Sequence, residues 1–187
     1  MVIYNMVSVV NTDYRDGIEE IEVTNSMGDN NAGGSFNVRF NNDRGRFSDT
    51  FTIGQTITIL AEQDVNPPTT TLFVGVIEEI NMTGVPNNEF LELSGRDFSA
   101  RLMDATIEPE VYNSTEASAI ITDIVDKYVS NITTTNVNVT STTIPRRVYL
   151  QTNVYDAIKE LAEETGFYFF VDTNQDLNFI RRGSTST

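Results

Sequence analysis

The chain has 187 residues, 27 of them acidic and 12 basic, for a net charge of −15. A surface this acidic repels duplex DNA and anionic membranes, because binding to either is driven by Lys and Arg. Cysteine and histidine are both absent, which removes disulfides, thiolate metal sites, the Ser-His-Asp triad and the usual general base at neutral pH.

The hydrophobic share, 39%, suffices for a core of one domain or two small ones. No apolar run approaches the roughly 20 residues that span a bilayer, and the N-terminus lacks the basic start of a signal peptide. Residues 3–10 alternate enough to predict a strand. Ile18–Val23 predicts a better one, with Ile21 and Val23 on one face and Glu20 and Glu22 on the other. The stretch 25–34, rich in Asn, Asp and Gly, reads as a hairpin loop; it lacks the acidic ladder and closing Glu of a calcium loop. Ser35–Phe40 alternates cleanly, with Phe36, Val38 and Phe40 inward. After a turn at 41–45 comes a Thr/Ile strand over Gly54–Leu60. Val65–Pro68 must lie in a surface loop. A strand over Thr71–Ile80 is interrupted by Gly75, read as a bulge or bend. A turn at 83–88 and a strand over Glu89–Ser94 complete the first half. Short strands joined by Gly/Asn/Pro turns predict a small antiparallel β-barrel or sandwich.

The second half changes period. Asp97–Met103 predicts a helical turn and 105–111 an extended connector around Pro109. Asn113, three residues before Glu116, reads as a helix-capping pair. Ala117, Ile120, Ile121, Ile124, Val125 and Tyr128 then form one helical stripe, with Asp123 and Lys127 on the wet side. Within 130–143, Ile132, Val137 and Val139 hint at a weak strand, and Val148–Leu150 at a short one. The stretch 153–180 is the most legible. Val154, Ile158, Leu161 and Ala162 make a stripe with Tyr155 beside it, Gly166 stops the helix, and a hairpin follows: Phe167–Val171, a turn at 172–176, Leu177–Ile180. The tail 181–187 reads as loose. The predicted fold class is α+β: an N-terminal antiparallel β-barrel over 1–103, then over 104–187 an α+β module with two helices and a small sheet.

Paired carboxylates are the only catalytic material in quantity. Glu78 and Glu79 are expected on opposite sides of their strand, and Glu163 and Glu164 on an outer helix face. Neither pair has the apolar pocket that raises one pKa for glycosidase work, and Glu108 with Glu110 adds no clearer case. The chain reads as a non-enzyme with no cofactor and no metal site. The Arg146–Arg147 and Arg181–Arg182 doublets read as salt-bridge partners for the acidic surface, and Arg96–Asp97 as a structural ion pair or cap.

Three stretches, in this order, carry a resemblance: LSGRDFSARL at 93–102, the helix Thr115–Tyr128, and DAIKELAEETG followed by the aromatic hairpin at 156–180. Together they resemble the late-control and baseplate-hub family of bacteriophage tail proteins, including the hub of T4-like tails and the tail proteins of Bacillus prophages. The resemblance implies a structural virion protein, assembled in the host cytoplasm. It would form a homotrimeric ring between the tail tube and the distal tip or fibre proteins, through which genomic DNA passes without specific binding and without membrane contact. Members of that family run longer than this chain. On that reading the channel wall should be acidic or neutral, and the strand-borne Glu20, Glu22, Glu78 and Glu92 are the expected lumen-facing residues. The rival reading is a β-barrel binding module for a host receptor or carbohydrate; the absence of tryptophan, a favoured sugar-stacking residue, weighs against it.

Overall fold

The computed structural model describes residues 3–9, 12–14, 16–24, 33–63, 70–85 and 88–183. The predicted loop at 25–34 therefore lies largely outside the described residues. So do the Val65–Pro68 loop, Pro86 and Asn87 of the 83–88 turn, and the end of the tail. The described chain forms two compact units, dividing between Asp97 and Phe98, somewhat before the expected boundary after Met103.

The first unit is one antiparallel sheet of seven strands: β1 (Ile3–Val9), β2 (Thr12–Asp13), β3 (Ile18–Thr24), β4 (Ser35–Asn41), β5 (Thr56–Gln63), β6 (Thr71–Val85) and β7 (Asn88–Arg96). Their spatial order is β2-β1-β5-β6-β7-β4-β3. Alternation explains the inward set: Phe36, Val38 and Phe40 of β4, Ile57 and Ile59 of β5, and Leu91 and Leu93 of β7 are all buried.

The expected closed barrel is not found among the described residues. The order has two ends, and β2, only two residues long, pairs with Ser8 and Val9 of β1 and reaches no further. Instead the sheet folds over at β6. The first part of that strand pairs with β5, Val76 lying opposite Thr56; from Val76 onward it pairs with β7, Val76 lying opposite Arg96. A strand that changes partners in mid-course turns a corner between two sheet arms. One arm supplies Val7, Val9, Ile57 and Ile59 to the core, the other Phe36, Val38, Phe40, Leu91 and Leu93.

Two residues from a stretch with no apolar period, Phe47 and Phe51, join this core. They pack on Phe40 at ring separations of 5.2 and 5.4 Å. The buried Asn42 fixes that stretch: its Oδ1 accepts from Phe47 N at 2.7 Å, and its Nδ2 donates to Ser48 Oγ.

In the second unit the two expected helices follow the short helical turn expected near Asp97–Met103, and the single small sheet becomes three short pairings. The elements are α1 (Ala100–Asp104), β8 (Thr106–Ile107), β9 (Glu110–Glu116), α2 (Ala117–Tyr128), β10 (Thr143–Tyr149), β11 (Thr152–Asn153), α3 (Val154–Thr165), β12 (Phe167–Val171) and β13 (Leu177–Arg181). The pairs are β8 with β11, β9 with β10, and β12 with β13. The predicted helix start at Thr115, capped from Asn113, is wrong. Residues 110–116 form β9, in register with β10, and the helix begins at Ala117. Glu116, read as the far half of a capping box, instead accepts at Oε1 from the N–H groups of Thr140 and Ser141 and from the hydroxyls of Ser118 and Thr140.

The remaining helical expectations hold. Ala117, Ile120, Ile121, Ile124 and Val125 of α2 are buried, as are Val154, Ile158, Leu161 and Ala162 of α3. Each fully buried Ile or Leu contributes roughly 1.5–3 kcal/mol, which holds a helix that alone in water would be marginal. Asn153 caps α3, accepting from Tyr155 N at 2.9 Å and donating to the carbonyls of Met103 and Ala105. Gly166 ends α3 at φ 75°, a conformation glycine adopts without penalty. Of the hairpin aromatics, Phe167 and Phe169 turn inward, and Phe167 stacks on Phe179 at 5.0 Å.

Candidate functional site

The face of the sheet away from the core is where the predicted acidic residues gather. Residues directly opposite one another in a sheet share a face. Registers across β3, β4, β7 and β6 align Glu20, Arg39, Glu92 and Asn81 in one row, and Glu22, Asn37, Ser94 and Glu79 in the next. The intervening row, Ile21, Val38, Leu93 and Ile80, faces the core.

Glu78 reaches this outer face by another route. Ile77 pairs with Gly95 and Glu79 with Ser94, so Glu78 is the extra residue of a bulge. A bulge places two consecutive residues where alternation would separate them. The expectation that Glu78 and Glu79 point to opposite sides is therefore wrong: Glu78 accepts from Arg96, and Glu79 from Ser94, two residues that share the outer side of β7. Gly75, read from the sequence as a bulge or sharp bend, is not the extra residue of this bulge; it adjoins Val76, where the strand changes partners. It stands where the backbones of β6 and β7 crowd; a Cβ there would lie 2.4 Å from the Arg96 carbonyl oxygen. A second bulge, between Ile18 and Glu20, frees Glu19 to accept from Asn41.

Glu20, Glu22, Glu78 and Glu92 thus share one face with Glu79 and Glu19, and together these glutamates outnumber Arg39 and Arg96 there. Arg96 binds Glu78 through Nε and Nη2 at 2.7–3.1 Å. Arg39 sits 3.0 Å from Glu20, its guanidinium over the Phe90 ring. These exposed pairs contribute little to stability; each ties an arginine of this face to a glutamate of the same face. Between the strands lies an open groove of about 400 Å³ lined by Glu22, Asn37, Glu78, Glu79, Ser94 and Arg96 among others. Among the described residues no group of three or more His, Cys, Asp or Glu could hold a metal ion, and no helix is long and apolar enough to cross a membrane.

Most of the other sequence candidates act as ties; Arg146, expected to pair with the acidic surface, has no ion-pair partner among the described residues. Asp97 accepts from Gly34 N at 2.5 Å. Arg147 binds Glu160 and Glu164, as expected for an arginine of an acidic chain, while Glu108 accepts from Gln151. Glu110 accepts from Lys127 and Tyr128 at 3.1 and 3.0 Å, and Lys127 bridges to Asp123 at 2.7 Å. Tyr112 donates to Asp123 at 2.6 Å. Burial pushes the Tyr112 phenol well above its ordinary range, and the bond to Asp123 adds to this. For Asp123, burial works upward, but hydrogen bonds from Lys127 and Tyr112 outweigh it and hold the carboxyl below its ordinary value. Lys127 is raised to about 12 by its bonds to Asp123 and Glu110. This network pins ribbon β9–β10 to α2.

No protein-family model matches the chain, and no curated protein matches it. Solved structures do. The 43 kDa tail protein of prophage MuSo2 from Shewanella oneidensis superposes with a TM-score of 0.70 at 16% identity, over 100% of this chain and 55% of that one. The tail protein from Neisseria meningitidis MC58 gives 0.66 at 12% identity, over 95% and 51%. A structure of the Francisella PdpA-VgrG complex gives 0.59 at 13%, over 97% and 29%. This chain has the fold of the parts of these proteins that it covers, and it spans about half the length of the first two.

Proposed function

We propose that the chain is a structural component of a phage tail, a baseplate-hub or tail-tip protein. Three copies form a ring that connects the tail tube to the distal tip and lets DNA pass. The fold it shares with the two tail proteins supports the structural role. The folded sheet of the first unit supplies the barrel-like wall of the ring. The partners are other copies of the chain, tail-tube protein and tip or fibre proteins, within the virion.

The observation that carries the channel reading is the collection of Glu20, Glu22, Glu78 and Glu92 on one sheet face. Duplex DNA carries one charge per about 1.7 Å of axis, and clustered cations would hold it by counterion release. A wall on which glutamates outnumber arginines, and each arginine is paired with a glutamate, offers no such hold, so DNA slides past. A density map of the assembled tail tests this. The four glutamates should line the channel; a basic channel wall, or those side chains turned to the outside, would refute it.

A further inference from the structure

Two surfaces of the second unit are complementary in apolar character and charge. The first is the outer face of ribbon β9–β10, where Val111 lies opposite Val148 and Asn113 opposite Arg146. Val111, Val148 and the neighbouring Leu150 are 51%, 42% and 66% exposed. The ribbon's other face looks inward: Tyr112 bonds to Asp123 of α2, and Arg147 to Glu160 and Glu164 of α3. The apolar stripe therefore points away from both helices. Arg146 stands within it, exposed and without an ion-pair partner among the described residues.

The second surface is a groove of about 410 Å³ along α2, lined by Ala119, Thr122, Asp126, Val137 and Val139 among others. Val139 is 72% exposed. Asp126 accepts a Thr134 hydroxyl at 3.2 Å and faces no cation among the described residues.

We propose that these two surfaces meet between copies of the chain. Leu150 and Val148 of one copy seat in the α2 groove of the next, and Arg146 pairs with Asp126. The proposal rests on the ring reading above and assigns the contact through which the ring is built. Charge commits the patch to this occupant. A generally basic partner would be drawn to the acidic surface, whereas this patch offers a lone cation in apolar surroundings, matched by a carboxylate beside the exposed Val139 and the half-buried Val137. Geometry adds to it. The ribbon face is turned from α2, and the groove lies on the side of α2 away from its buried Ile120, Ile121, Ile124 and Val125. A contact between unlike faces is head-to-tail, and head-to-tail contacts close into rings when the rotation permits.

The chain has no cysteine, so introduced thiols are the only ones. Leu150→Cys chains and Ala119→Cys chains, both altered at exposed positions, are oxidised separately and mixed. A disulfide dimer should form in the mixture and not in either alone. It should be lost when Asp126→Arg is added to the Ala119→Cys chain, and return when Arg146→Asp is added to the Leu150→Cys chain. Equal dimer in the separate samples, or indifference to the charge reversals, overturns the proposal. Sedimentation of the unaltered chain separates the two readings. A closed oligomer with no mixed disulfide refutes this contact and leaves the ring standing; a monomer at every concentration, with no mixed disulfide, removes both.

Discussion

Gly95→Ala should cost far more than its one methyl group suggests. A Cβ at this position would lie 1.9 Å from the Val76 carbonyl oxygen, 2.9 Å from Phe36 Cε1 and 3.1 Å from the backbone N of Glu78. An unstrained carbon-to-oxygen contact is about 3.3 Å or more, so the overlap exceeds 1 Å. The obstructing atom is backbone, and Val76 is paired on both sides, with Thr56 and with Arg96. Relief requires β6 to part from β7 at the bulge. Overpacking costs about 1–3 kcal/mol, and each ladder hydrogen bond given up costs about 1 kcal/mol more. A loss of about 3–5 kcal/mol follows, a large share of the 5–15 kcal/mol by which domains are stable. The sign is diagnostic, because Gly→Ala where the backbone fits an alanine stabilises by about 0.4–1 kcal/mol. Gly95 is not left-handed, so the whole penalty is steric. Urea unfolding followed by circular dichroism measures it. A loss below about 1 kcal/mol would mean that the strands separate freely there and that the bulge is not the rigid device described.

Ile124→Asp, which puts an unpaired carboxylate at a position with 0% exposure, should cost several kcal/mol; an unchanged melting temperature refutes that placement. Tyr149 is buried with no partner for its hydroxyl among the described residues, so Tyr149→Phe should leave stability unchanged or raise it by up to about 1–3 kcal/mol; a clear loss in the same urea assay would reveal a bond to that hydroxyl. Burial raises the same phenol to about 12, so an ultraviolet titration should show Tyr149 ionising well after exposed tyrosines, and ionisation with the bulk would contradict its burial. Asp123 is held below the ordinary carboxylate range. Its contribution is present above the unfolded value, about 3.9, and lost as pH falls through the lower folded value. Asp123→Asn should therefore flatten the acid limb of a stability–pH curve; a limb of unchanged slope argues against the network.

Where burial follows a simple period, the sequence is enough to read it. Phe36, Val38 and Phe40 alternate because one face of β4 is core, and the stripe of α3 ends at Gly166 because the helix does. Glu20, Glu22 and Glu92 follow from the same alternation. Glu78 also stands on the outer face, but a bulge brings its neighbour Glu79 there too, and that bulge depends on Gly95 across the sheet. Nothing local to Glu78 and Glu79 signals it. The strand at 110–116 was hidden in the same way: its partner lies at 143–149, while the nearby Asn113 and Glu116 imitate a helix cap. Phe47 and Phe51 have no periodic neighbours, and only the buried Asn42 that orders their segment explains them. Barrel closure is a property of which edges meet, and strand propensity does not encode it.

Strand β6 also has a mechanical consequence. Because it is the strand paired in both arms of the first unit among the described residues, tension applied across the corner runs along covalent peptide bonds. The ladders on either side of Val76 are loaded lengthwise, in shear, so that many hydrogen bonds must fail together. A unit built this way resists extension most strongly along its longest strand and yields first at the two-residue β2, which can peel away one bond at a time.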